Sequence, residues 1–322
     1  MIVTVTPNPS VDRTLEVDAI VRGDVVRSRG LQVDPGGKGI NVARALVNNG
    51  VDALAVLPVG GAEGRQLVDL LRDRGIDTAV VFIEQPIRAN ISLVEPDGTV
   101  TKINEAGPVL TADEIEALLD ATATAAVGAD WVATCGRLPA GAPDDVHARI
   151  VARAHAAGAR AAVDTSGRPL LAALAAGPDL VKPNRDELAE AAGTPILTHG
   201  DAVVAARHLQ TLGARDVLVS LGPDGALLVT ADRVLLATPL GVQPVSSVGA
   251  GDSTLAGYLT ASDPADALRT AVAYGTAAVQ LPGTAMPGPD DLHPELVRVT
   301  DQIDLDAPLT GVPGEDARLG VR

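Results

Sequence analysis

A short glycine-rich stretch in the last third of the chain ends in a single acid and leads directly into an apolar segment. Its sequence is Val248-Gly249-Ala250-Gly251-Asp252, and the composition of residues 255–261 predicts a helix after it. Backbone N–H groups converge at a helix start, where the helix dipole is also positive, so glycines there favour a bound anion. A carboxylate in the same turn can accept the proton of a hydroxyl that attacks a phosphoryl group. Asp252 is therefore a candidate general base, and a simple helix cap is the alternative.

A second glycine-rich stretch, Pro35-Gly36-Gly37-Lys38-Gly39-Ile40-Asn41, also leads into a predicted helix. It is not a P-loop, because Gln32 stands where the G-x-x-x-x-G-K-[ST] pattern needs its first glycine and Gly39 follows the lysine. The first strand is not followed by G-x-G-x-x-G either, which argues against dinucleotide binding. We expect the glycines to admit a polyhydroxylated ligand close to the backbone, with Lys38 and Asn41 as donors. A tight turn with a solvated lysine is the alternative.

Two further stretches follow predicted strands. Lys182-Pro183-Asn184-Arg185-Asp186-Glu187 opens a predicted helix, and Asn184 with Glu187 has the spacing of a capping box. A carboxylate at that position can also hold a water-coordinated Mg²⁺, which often takes few protein ligands. Ser220-Leu221-Gly222-Pro223-Asp224-Gly225 alone predicts a hairpin turn, and beside a nucleotide it would supply backbone contacts.

Other kinds of catalytic site are disfavoured. The five histidines are scattered without a second ligand at metal spacing, which argues against zinc. Cys135 follows an apolar run without His or Asn context, so we expect a small buried hydrophobic residue rather than a nucleophile.

The elements that must position these residues follow an alternating pattern. Short β-branched runs alternate with longer amphipathic Ala- and Leu-rich stretches, which predicts an α/β fold with parallel strands and helical crossovers. Gly50 and Gly75 suit the left-handed residue after a helix, and Thr111 with Glu114 suits a capping box. We predict strands at residues 2–6, 54–59, 78–83, 131–134, 161–164, 180–182 and 217–220, and helices at residues 40–49, 63–74, 112–126, 144–157, 186–192, 201–212, 252–261 and 265–281.

Two segments interrupt the alternation with period-two patterns, at about residues 14–34 and 88–105. The turn Pro96-Asp97-Gly98 predicts a hairpin in the second of them. We expect these segments to form a small β flap over a cleft, and an apolar outer face on such a flap would suit a dimer interface. The periodic body extends over residues 1–300, and residues 301–322 form a tail whose last part we expect to be mobile.

Composition and charge exclude several classes of protein. The 322 residues include 25 Lys and Arg against 41 Asp and Glu, a formal net charge of -16, so no nucleic-acid ligand is expected. A hydrophobic fraction of 46% excludes a disordered chain. No apolar stretch approaches the roughly 18 residues that span a membrane. The N-terminus lacks a signal-peptide pattern, and a single cysteine cannot close an internal disulfide, so we expect a cytoplasmic protein.

The four stretches, in this order and spacing, resemble the PfkB family of ribokinase-like carbohydrate kinases. The similarity runs from Thr6-Pro7-Asn8-Pro9-Ser10-Val11-Asp12 to Leu281-Pro282-Gly283-Thr284. The opening segment and Asp164-Thr165-Ser166-Gly167 look most like the 1-phosphofructokinase branch. The resemblance implies a three-layer α/β/α sandwich with a small β lid, sugar under the lid, MgATP along the carboxyl edge of the sheet, and a homodimer through the lid.

The resemblance also implies a role for each motif. Asp252 would deprotonate the 6-hydroxyl of D-fructose 1-phosphate for attack on the γ-phosphoryl group of ATP, which gives fructose 1,6-bisphosphate. The amides of Gly249, Ala250 and Gly251 would form the anion hole. The sugar phosphate is expected at Asp12, Gly37, Lys38, Asn41, Arg88 and Lys102, the nucleotide at Lys182, Asn184, Ser220, Gly222, Gly225 and Gly251, and the metal with its waters at Glu187.

The chain departs from the family pattern at two places and leaves alternatives open. Cys135-Gly136-Arg137-Leu138-Pro139 stands where Ser-Gly-Ser-Leu-Pro is usual, and Ser246 stands where Asn or Asp is common. Fructose 6-phosphate and tagatose 6-phosphate are therefore alternative substrates. A regulator that binds sugar phosphate without turnover is a further alternative, and the absent dinucleotide fingerprint disfavours an oxidoreductase.

Overall fold

Strands and helices alternate along the chain in the computed structural model, which describes residues 1–242 and 244–310. The strands are β1 (Ile2–Val5), β2 (Ser10–Val17), β3 (Ser28–Gly36), β4 (Ala53–Val59), β5 (Asp77–Phe82), β6 (Arg88–Val94), β7 (Val100–Asn104), β8 (Trp131–Cys135), β9 (Arg160–Asp164), β10 (Leu180–Val181), β11 (Asp216–Ser220), β12 (Ala226–Val229), β13 (Val234–Pro239) and β14 (Val297–Thr300). The helices are α1 (Lys38–Asn48), α2 (Gly61–Arg72), α3 (Ala112–Ala126), α4 (Val146–Ala156), α5 (Gly167–Leu174), α6 (Arg185–Ala192), α7 (His199–Thr211), α8 (Ala250–Leu259) and α9 (Pro264–Gln280).

Ten strands form the main sheet in the order β14-β13-β12-β11-β10-β9-β8-β1-β4-β5. The seven strands from β11 to β5 in this order are parallel, and β12, β13 and β14 extend the sheet with antiparallel pairs. Helices α1, α2, α8 and α9 pack on one face, and α3 to α7 pack on the other. The predicted α/β/α sandwich is therefore confirmed. Its core is filled mainly by Ala, Val, Leu and Ile side chains.

Four strands form a second sheet, in the order β3-β2-β6-β7, which we call the lid sheet. β2 pairs antiparallel with β3 and parallel with β6, and β6 and β7 form the predicted hairpin, in which the Gly98 N–H bonds to the Glu95 carbonyl at 3.0 Å. β2 begins at Ser10, four residues before the predicted segment, because its first residues pair with the start of β6. The lid sheet therefore begins directly beside the end of β1.

The two faces of the lid sheet differ in polarity. Asp12 and Asn90 are cross-strand partners on one face. The residues next to them point to the other face because side chains alternate along a strand. That other face carries Leu31 and Ile103, which are 62% and 53% exposed. Within the described part of the chain, the apolar face of the lid sheet is thus partly uncovered.

Several elements differ from their predictions. Helix α5 and strands β12, β13 and β14 are not predicted, because each is short: α5, β12 and β13 are Ala- and Leu-rich without alternation, and the four residues of β14 are too few to give a pattern. β10 ends at Val181 rather than at Lys182, although the Lys182 N–H still bonds to the Val163 carbonyl at 3.0 Å. The predicted capping box of Thr111 and Glu114 at the start of α3 is confirmed.

Residues 301–310, which the sequence analysis places in the tail, lie against the body. The N–H of buried Leu309 bonds to the Leu197 carbonyl at 2.8 Å. The N–H of Thr310 donates to the Asp224 carboxylate at 2.7 Å. The rest of the expected tail, residues 311–322, lies outside the described residues. None of the described helices is both long enough and apolar enough to cross a bilayer.

Candidate active site

The predicted motifs meet at the carboxyl edge of the main sheet. Parallel strands end at the same edge, so the residues that follow β8, β9, β10 and β11 come together there. The helices α1, α6 and α8 begin at this edge. Lys38 at the start of α1 bonds to Asp164 at the end of β9 at 2.8 Å, and Asn184 forms an isolated parallel bridge with Ser220. The structure therefore brings together four stretches that are far apart in sequence.

Helix α8 begins after Gly249, its N-cap residue, and presents a group of backbone amides at its start. Gly249 has a φ of 77°, in the left-handed region that glycine adopts without strain, and a Cβ there would lie 2.6 Å from the Met286 Cε atom. The first helical bond runs from the Ser253 N–H to the Gly249 carbonyl. Within the described residues, the N–H groups of Gly249, Ala250 and Gly251 have no hydrogen-bond acceptor. The geometry suits a bound anion.

Asp252 lies in the first turn of α8 and is only 7% exposed. Its Oδ2 atom accepts a hydrogen bond of 2.8 Å from Asn41 Nδ2. Burial and the nearby charge of Asp164 raise the pKa of Asp252 to about 6, against the opposing effects of Lys38, Asn41 and Lys182. Most Asp252 side chains are therefore ionised at neutral pH, yet their affinity for a proton exceeds that of a solvated aspartate. Both properties suit a general base.

A fully buried acid, Asp164, lies between two ammonium groups. Lys38 Nζ is 2.8 Å from one carboxylate oxygen and Lys182 Nζ is 3.2 Å from the other. Burial favours the neutral acid, but Lys182 and Lys38 together hold the pKa of Asp164 below its usual range. The sequence analysis did not assign a role to Asp164. The available signal was an acid at the last position of a buried strand on the predicted site edge.

Lys38 also lies 3.5 Å from Glu187. Burial opposes its positive charge, but Asp164, Glu187 and Asp252 raise the pKa of the Lys38 ammonium above its usual value. The sequence analysis places Lys38 on the sugar. In the structure its ammonium connects carboxylates on β9 and α6, so it lies between the expected sugar and metal positions.

The base of the lid sheet contributes Asp12. Its Oδ1 atom accepts hydrogen bonds from Ser10 Oγ at 2.7 Å and from Asn90 Nδ2 at 2.9 Å. A Cβ at Gly36, on the neighbouring strand, would overlap the Asp12 carboxylate. Glycine at that position therefore leaves room for the acid, and Asn90 is a polar neighbour that the sequence analysis did not assign.

Arg88 lies on the same lid face as Asp12, and none of the carboxylates that the structure describes is bonded to it. Its guanidinium donates to the carbonyls of Asn8 at 3.1 Å and Glu105 at 3.5 Å. Burial and the nearby charge of Arg137 lower the pKa of Arg88, and Asp12 opposes that change. Two guanidinium groups near one another attract an anion, and the sequence analysis expects the sugar phosphate at Arg88.

Lys102, the other expected phosphate ligand, is placed differently. It is exposed on β7 opposite Ser92, on the same face as Asp12 and Asn90 but farther along the hairpin. Among the described residues it forms no ion pair and donates no hydrogen bond. The structure therefore does not bring Lys102 together with Arg88.

Close packing explains why glycines stand at the start of α1. Gly37 has a φ of 120°, and a Cβ on it would lie 2.7 Å from the Thr6 Cγ2 atom. A Cβ on Gly39 would lie 2.5 Å from Thr6 Oγ1. These glycines let α1 begin directly against the end of β1. Close approach of helix and strand is therefore a sufficient reason for them, beside the ligand approach that the sequence suggests.

The two stretches on which the nucleotide is expected, residues 182–187 and 220–225, lie side by side and form one corner of the site. The capping box of Asn184 and Glu187 is confirmed, with bonds of 2.8 and 2.9 Å. In the neighbouring turn the Gly225 N–H bonds to the Gly222 carbonyl at 3.1 Å, and a Cβ on Gly225 would overlap the Ala237 carbonyl oxygen. This turn joins β11 to the antiparallel β12, so the predicted hairpin is also confirmed.

A metal ion in this corner would need phosphate oxygens and water as further ligands. Among the described residues no cluster of three or more His, Cys, Asp or Glu side chains could hold a metal ion. Glu187 accepts the Asn184 N–H with one oxygen and faces Lys38 with the other. A Mg²⁺ ion that keeps several waters and binds phosphate oxygens needs only one such carboxylate.

His147 contacts residues 135–139, the motif that departs from the family pattern. The Gly136 carbonyl accepts hydrogen bonds from His147 Nε2 at 3.1 Å and from Thr165 Oγ1 at 3.0 Å. The Thr134 hydroxyl lies 2.7 Å from His147 Nδ1, so the ring is fixed on both sides. Burial lowers the pKa of His147 to about 4. The sequence analysis did not find His147, because one histidine on a predicted helix carries no motif.

Cys135 is completely buried, as predicted. Burial and the charges of Asp164 and Asp252 raise the pKa of its thiol well above the usual value. A neutral buried thiol is a poor nucleophile, so Cys135 fills space behind the site.

The chain is similar in sequence and in fold to several known proteins. Residues 5–291 match the model of the pfkB family carbohydrate kinases. The chain is 41% identical over 266 residues to the 1-phosphofructokinase of Xanthomonas campestris pv. campestris, covering 80% of this chain and 83% of that protein. It is 36% identical over 298 residues to ATP-dependent 6-phosphofructokinase isozyme 2 of Escherichia coli, covering 90% and 96%. The tetrameric inhibited form of phosphofructokinase-2 from Escherichia coli has a TM-score of 0.84 at 34% identity, covering 90% of this chain and 96% of that one.

Proposed function

The chain belongs to the pfkB family of carbohydrate kinases, and on that premise we propose that it phosphorylates D-fructose 1-phosphate at the 6-hydroxyl with ATP. The products are fructose 1,6-bisphosphate and ADP. The observation that carries the proposal is the position of Asp252, a buried acid of raised pKa at the start of α8, beside amides that have no acceptor among the described residues. Membership of the family alone shows that the protein is a carbohydrate kinase, which is a phosphotransferase.

The start of α8 can serve both partners of a phosphoryl transfer. Asp252 accepts the proton of the 6-hydroxyl as its oxygen attacks the γ-phosphorus, and the bond from that phosphorus to the ADP oxygen breaks. The amides of Gly249, Ala250 and Gly251 donate to the oxygens of the transferred group. Such fixed donors stabilise developing charge without reorganisation at the moment of reaction.

Lys182 adds a positive charge beside these amides. Its Nζ atom would lie 3.3 Å from a Cβ on Gly251, so the glycine keeps the ammonium close to the helix start. Its ion pair with buried Asp164 holds it there. An ammonium in this position attracts the phosphates of the nucleotide, while the turn from Ser220 to Gly225 supplies backbone groups for its remaining parts.

Mg²⁺ would be held by Glu187 through water and by the phosphates of ATP. When bound, it neutralises phosphate charge in the transfer. Asn184 keeps Glu187 in place through the capping box. Lys38, between Asp164 and Glu187, completes a positive region in a chain whose net charge is -16. Local cations matter here because protein and both substrates are anionic.

The sugar phosphate lies under the lid sheet in this proposal. Asp12 and Asn41 bind hydroxyl groups, and the backbone at Gly37 lines the same cavity. Arg88 binds the phosphate on carbon 1, since no described carboxylate is bonded to it. Lys102 reaches this phosphate only if the hairpin of β6 and β7 moves toward the body. Closure of that kind would also exclude water, which competes with the sugar as phosphoryl acceptor.

The apolar face of the lid sheet is proposed to bind a second copy of the chain. Leu31 and Ile103 on this face are more than half exposed, and exposed apolar patches mark interaction sites. The relative from Escherichia coli forms a tetramer in one of its structures. A homodimer through the lid sheets would cover both faces at once.

A 6-phosphofructokinase is the second candidate, because the Escherichia coli relative of that name is 36% identical over 90% of the chain. Tagatose 6-phosphate is a third substrate with one phosphate and one primary hydroxyl. An assay of ADP release over fructose 1-phosphate, fructose 6-phosphate, tagatose 6-phosphate, fructose and ribose distinguishes them. We expect the highest kcat/KM with fructose 1-phosphate, and Asp252→Asn serves as the inactive control. A preference for a free sugar would overturn the role of Arg88, and absence of turnover with every acceptor would overturn the proposal.

A further inference from the structure

Arg44 is a buried cation that has no part in the proposed reaction. It lies one turn after Asn41 on α1 and is 7% exposed. Its Nη1 atom donates to Asn41 Oδ1 at 3.2 Å and to the Pro35 carbonyl at 3.4 Å. Its Nη2 atom donates to the Thr284 carbonyl at 3.1 Å. The guanidinium thus joins α1 to β3 and to the segment after α9.

The contact with Asn41 determines which way the amide points. A guanidinium has only donors, so the Asn41 atom that faces Arg44 must be the oxygen. The amide nitrogen is then directed to the other side, where it donates to Asp252 Oδ2 at 2.8 Å. A flipped amide would place two donors against each other at Arg44 and two acceptors against each other at Asp252.

This orientation favours the ionised form of Asp252. An N–H donated to a carboxylate stabilises its charge, whereas an amide oxygen in the same place would require a protonated acid. The other charged or titratable groups around Asp252 are Lys38 on α1, Asp164 on β9, Cys135 on β8 and Lys182 before α6. Asn41 is the neutral member of this set, and its effect depends on which of its two polar atoms it presents.

We propose that Arg44 is a positioning residue: by fixing the Asn41 amide it keeps Asp252 in the ionised form that the proton transfer requires. The inference rests on the proposed function, since Asp252 is the proposed base. The Arg44 Nη2 atom also lies 3.9 Å from Asp34. Burial and the nearby charge of Arg74 lower the pKa of Arg44, while Asp34, Asp12 and Asp252 oppose that change, and an arginine remains charged in proteins. Its donors are therefore present at any pH at which the protein is folded.

A purely structural role makes a different prediction, and Arg74 provides the matched control. Arg74 donates to the same buried acid, Asp34, at 2.9 Å, but it has no hydrogen bond to Asn41. Loss of Arg74 weakens the charge cluster around Asp34 and leaves the Asn41 amide in place. The variants Arg44→Met, Arg44→Lys and Arg74→Met therefore separate stability from positioning.

The decisive measurement is the pKa of Asp252 by carbon-13 NMR of labelled aspartate, assigned with Asp252→Asn, together with the pH profile of kcat/KM. In Arg44→Met we expect the Asp252 pKa and the acid limb of the profile to rise by about one unit. In Arg74→Met neither should move. In Arg44→Lys, which keeps a single donor centre, the rise should be smaller than in Arg44→Met. If Arg44→Met does not fold, Arg44→Lys alone should still show a rise.

Unchanged Asp252 titration in a folded Arg44→Met protein, or in Arg44→Lys when the Met variant does not fold, would overturn the inference. An equal rise in Arg74→Met would also overturn it, because the effect would then come from the Asp34 cluster. The NMR titration needs no substrate. Absence of sugar-phosphate turnover in the wild-type protein would therefore overturn the proposed function while the test of Arg44 remained decisive.

Discussion

Asn41 and Asp252, which are 211 positions apart in sequence, share a hydrogen bond of 2.8 Å between the first turns of α1 and α8. Each of these helices begins after a glycine-rich stretch. The bond holds the two helix starts next to each other, so the groups proposed to bind the sugar and the phosphoryl group are neighbours. A reaction between an alcohol and a phosphoryl group needs this proximity more than it needs covalent chemistry.

Replacing Asp252 with Asn should reduce kcat about 10²- to 10⁴-fold, because the 6-hydroxyl loses its proton acceptor. Binding of ATP, measured by calorimetry, should stay nearly unchanged. The exposed Asp266 on the neighbouring helix provides the control, and Asp266→Asn should keep kcat within about twofold. A similar mild effect of Asp252→Asn would show that the residue only caps α8.

The pH profile of kcat/KM should have an acid limb near pH 6, where the Asp252 pKa lies. Below this pH the base is protonated and activity falls about tenfold per unit. Asp252→Asn should remove this limb from the residual activity. A limb near pH 4 in the wild-type protein would contradict the buried environment of the acid.

The raised pKa of Asp252 also makes the free energy of unfolding depend on pH. An acid whose folded pKa exceeds its unfolded value of 3.8 stabilises the fold at low pH and loses that contribution as pH rises through about 6. At pH 8, Asp252→Asn should therefore be more stable than the wild type, on the order of 1–3 kcal/mol by urea unfolding. The difference should vanish near pH 4. A less stable Asn variant at pH 8 would contradict the prediction.

Asp164→Asn should destabilise the protein by about 3–5 kcal/mol, since two lysines would lose their buried counter-charge. Urea unfolding at pH 7.5 measures the change. Asp130→Asn is the control, because Asp130 pairs with the exposed N-terminal amine and should contribute about 1 kcal/mol or less. Equal effects of the two variants would mean that Lys38 and Lys182 find other partners.

His147 should make the fold sensitive to acid. Its folded pKa of about 4 lies below the unfolded value of 6.5, so stability is complete above pH 6.5 and is lost as pH falls through 4. Between pH 7.5 and 4.5 the wild type should lose about 2 kcal/mol more unfolding free energy than His147→Gln. His208→Gln, at an exposed position on α7, should lose as much as the wild type.

Leu31→Glu should convert the expected dimer to a monomer, because it places a charge on the apolar face of the lid sheet. Light scattering after size exclusion measures the mass. Val204→Glu is a matched control on α7, where the valine is 68% exposed but far from the lid sheet in the fold. A wild-type chain that is already monomeric at micromolar concentration would refute the lid interface.

The parallel part of the main sheet could be predicted from sequence, because buried strands such as β1 and β4 are short apolar runs and each helix after them is amphipathic. The capping boxes and glycine-rich helix starts gave the edge where the site lies. Strands β12 to β14 could not be predicted in this way, since their antiparallel pairing depends on the turn after Ser220 and on a segment more than 50 residues later.

The candidate site was only partly visible in the sequence. Residues within glycine motifs, such as Asp252 and Lys38, carry a local signal. Asp164 and Arg44 each have a partner that is distant in sequence: Asp164 lies 126 positions from Lys38 and Arg44 lies 240 from Thr284. Spacing along the chain carries no information about such pairs, and only the fold brings them together.

The burial of Cys135 has a practical consequence for spectroscopy. It is the only cysteine in the chain, and its protonated thiol lies out of reach of maleimide reagents. A cysteine introduced at an exposed position, such as Lys102 on the hairpin, would therefore carry a fluorophore or spin label without any background mutation. The opening and closing of the hairpin could then be followed directly in solution.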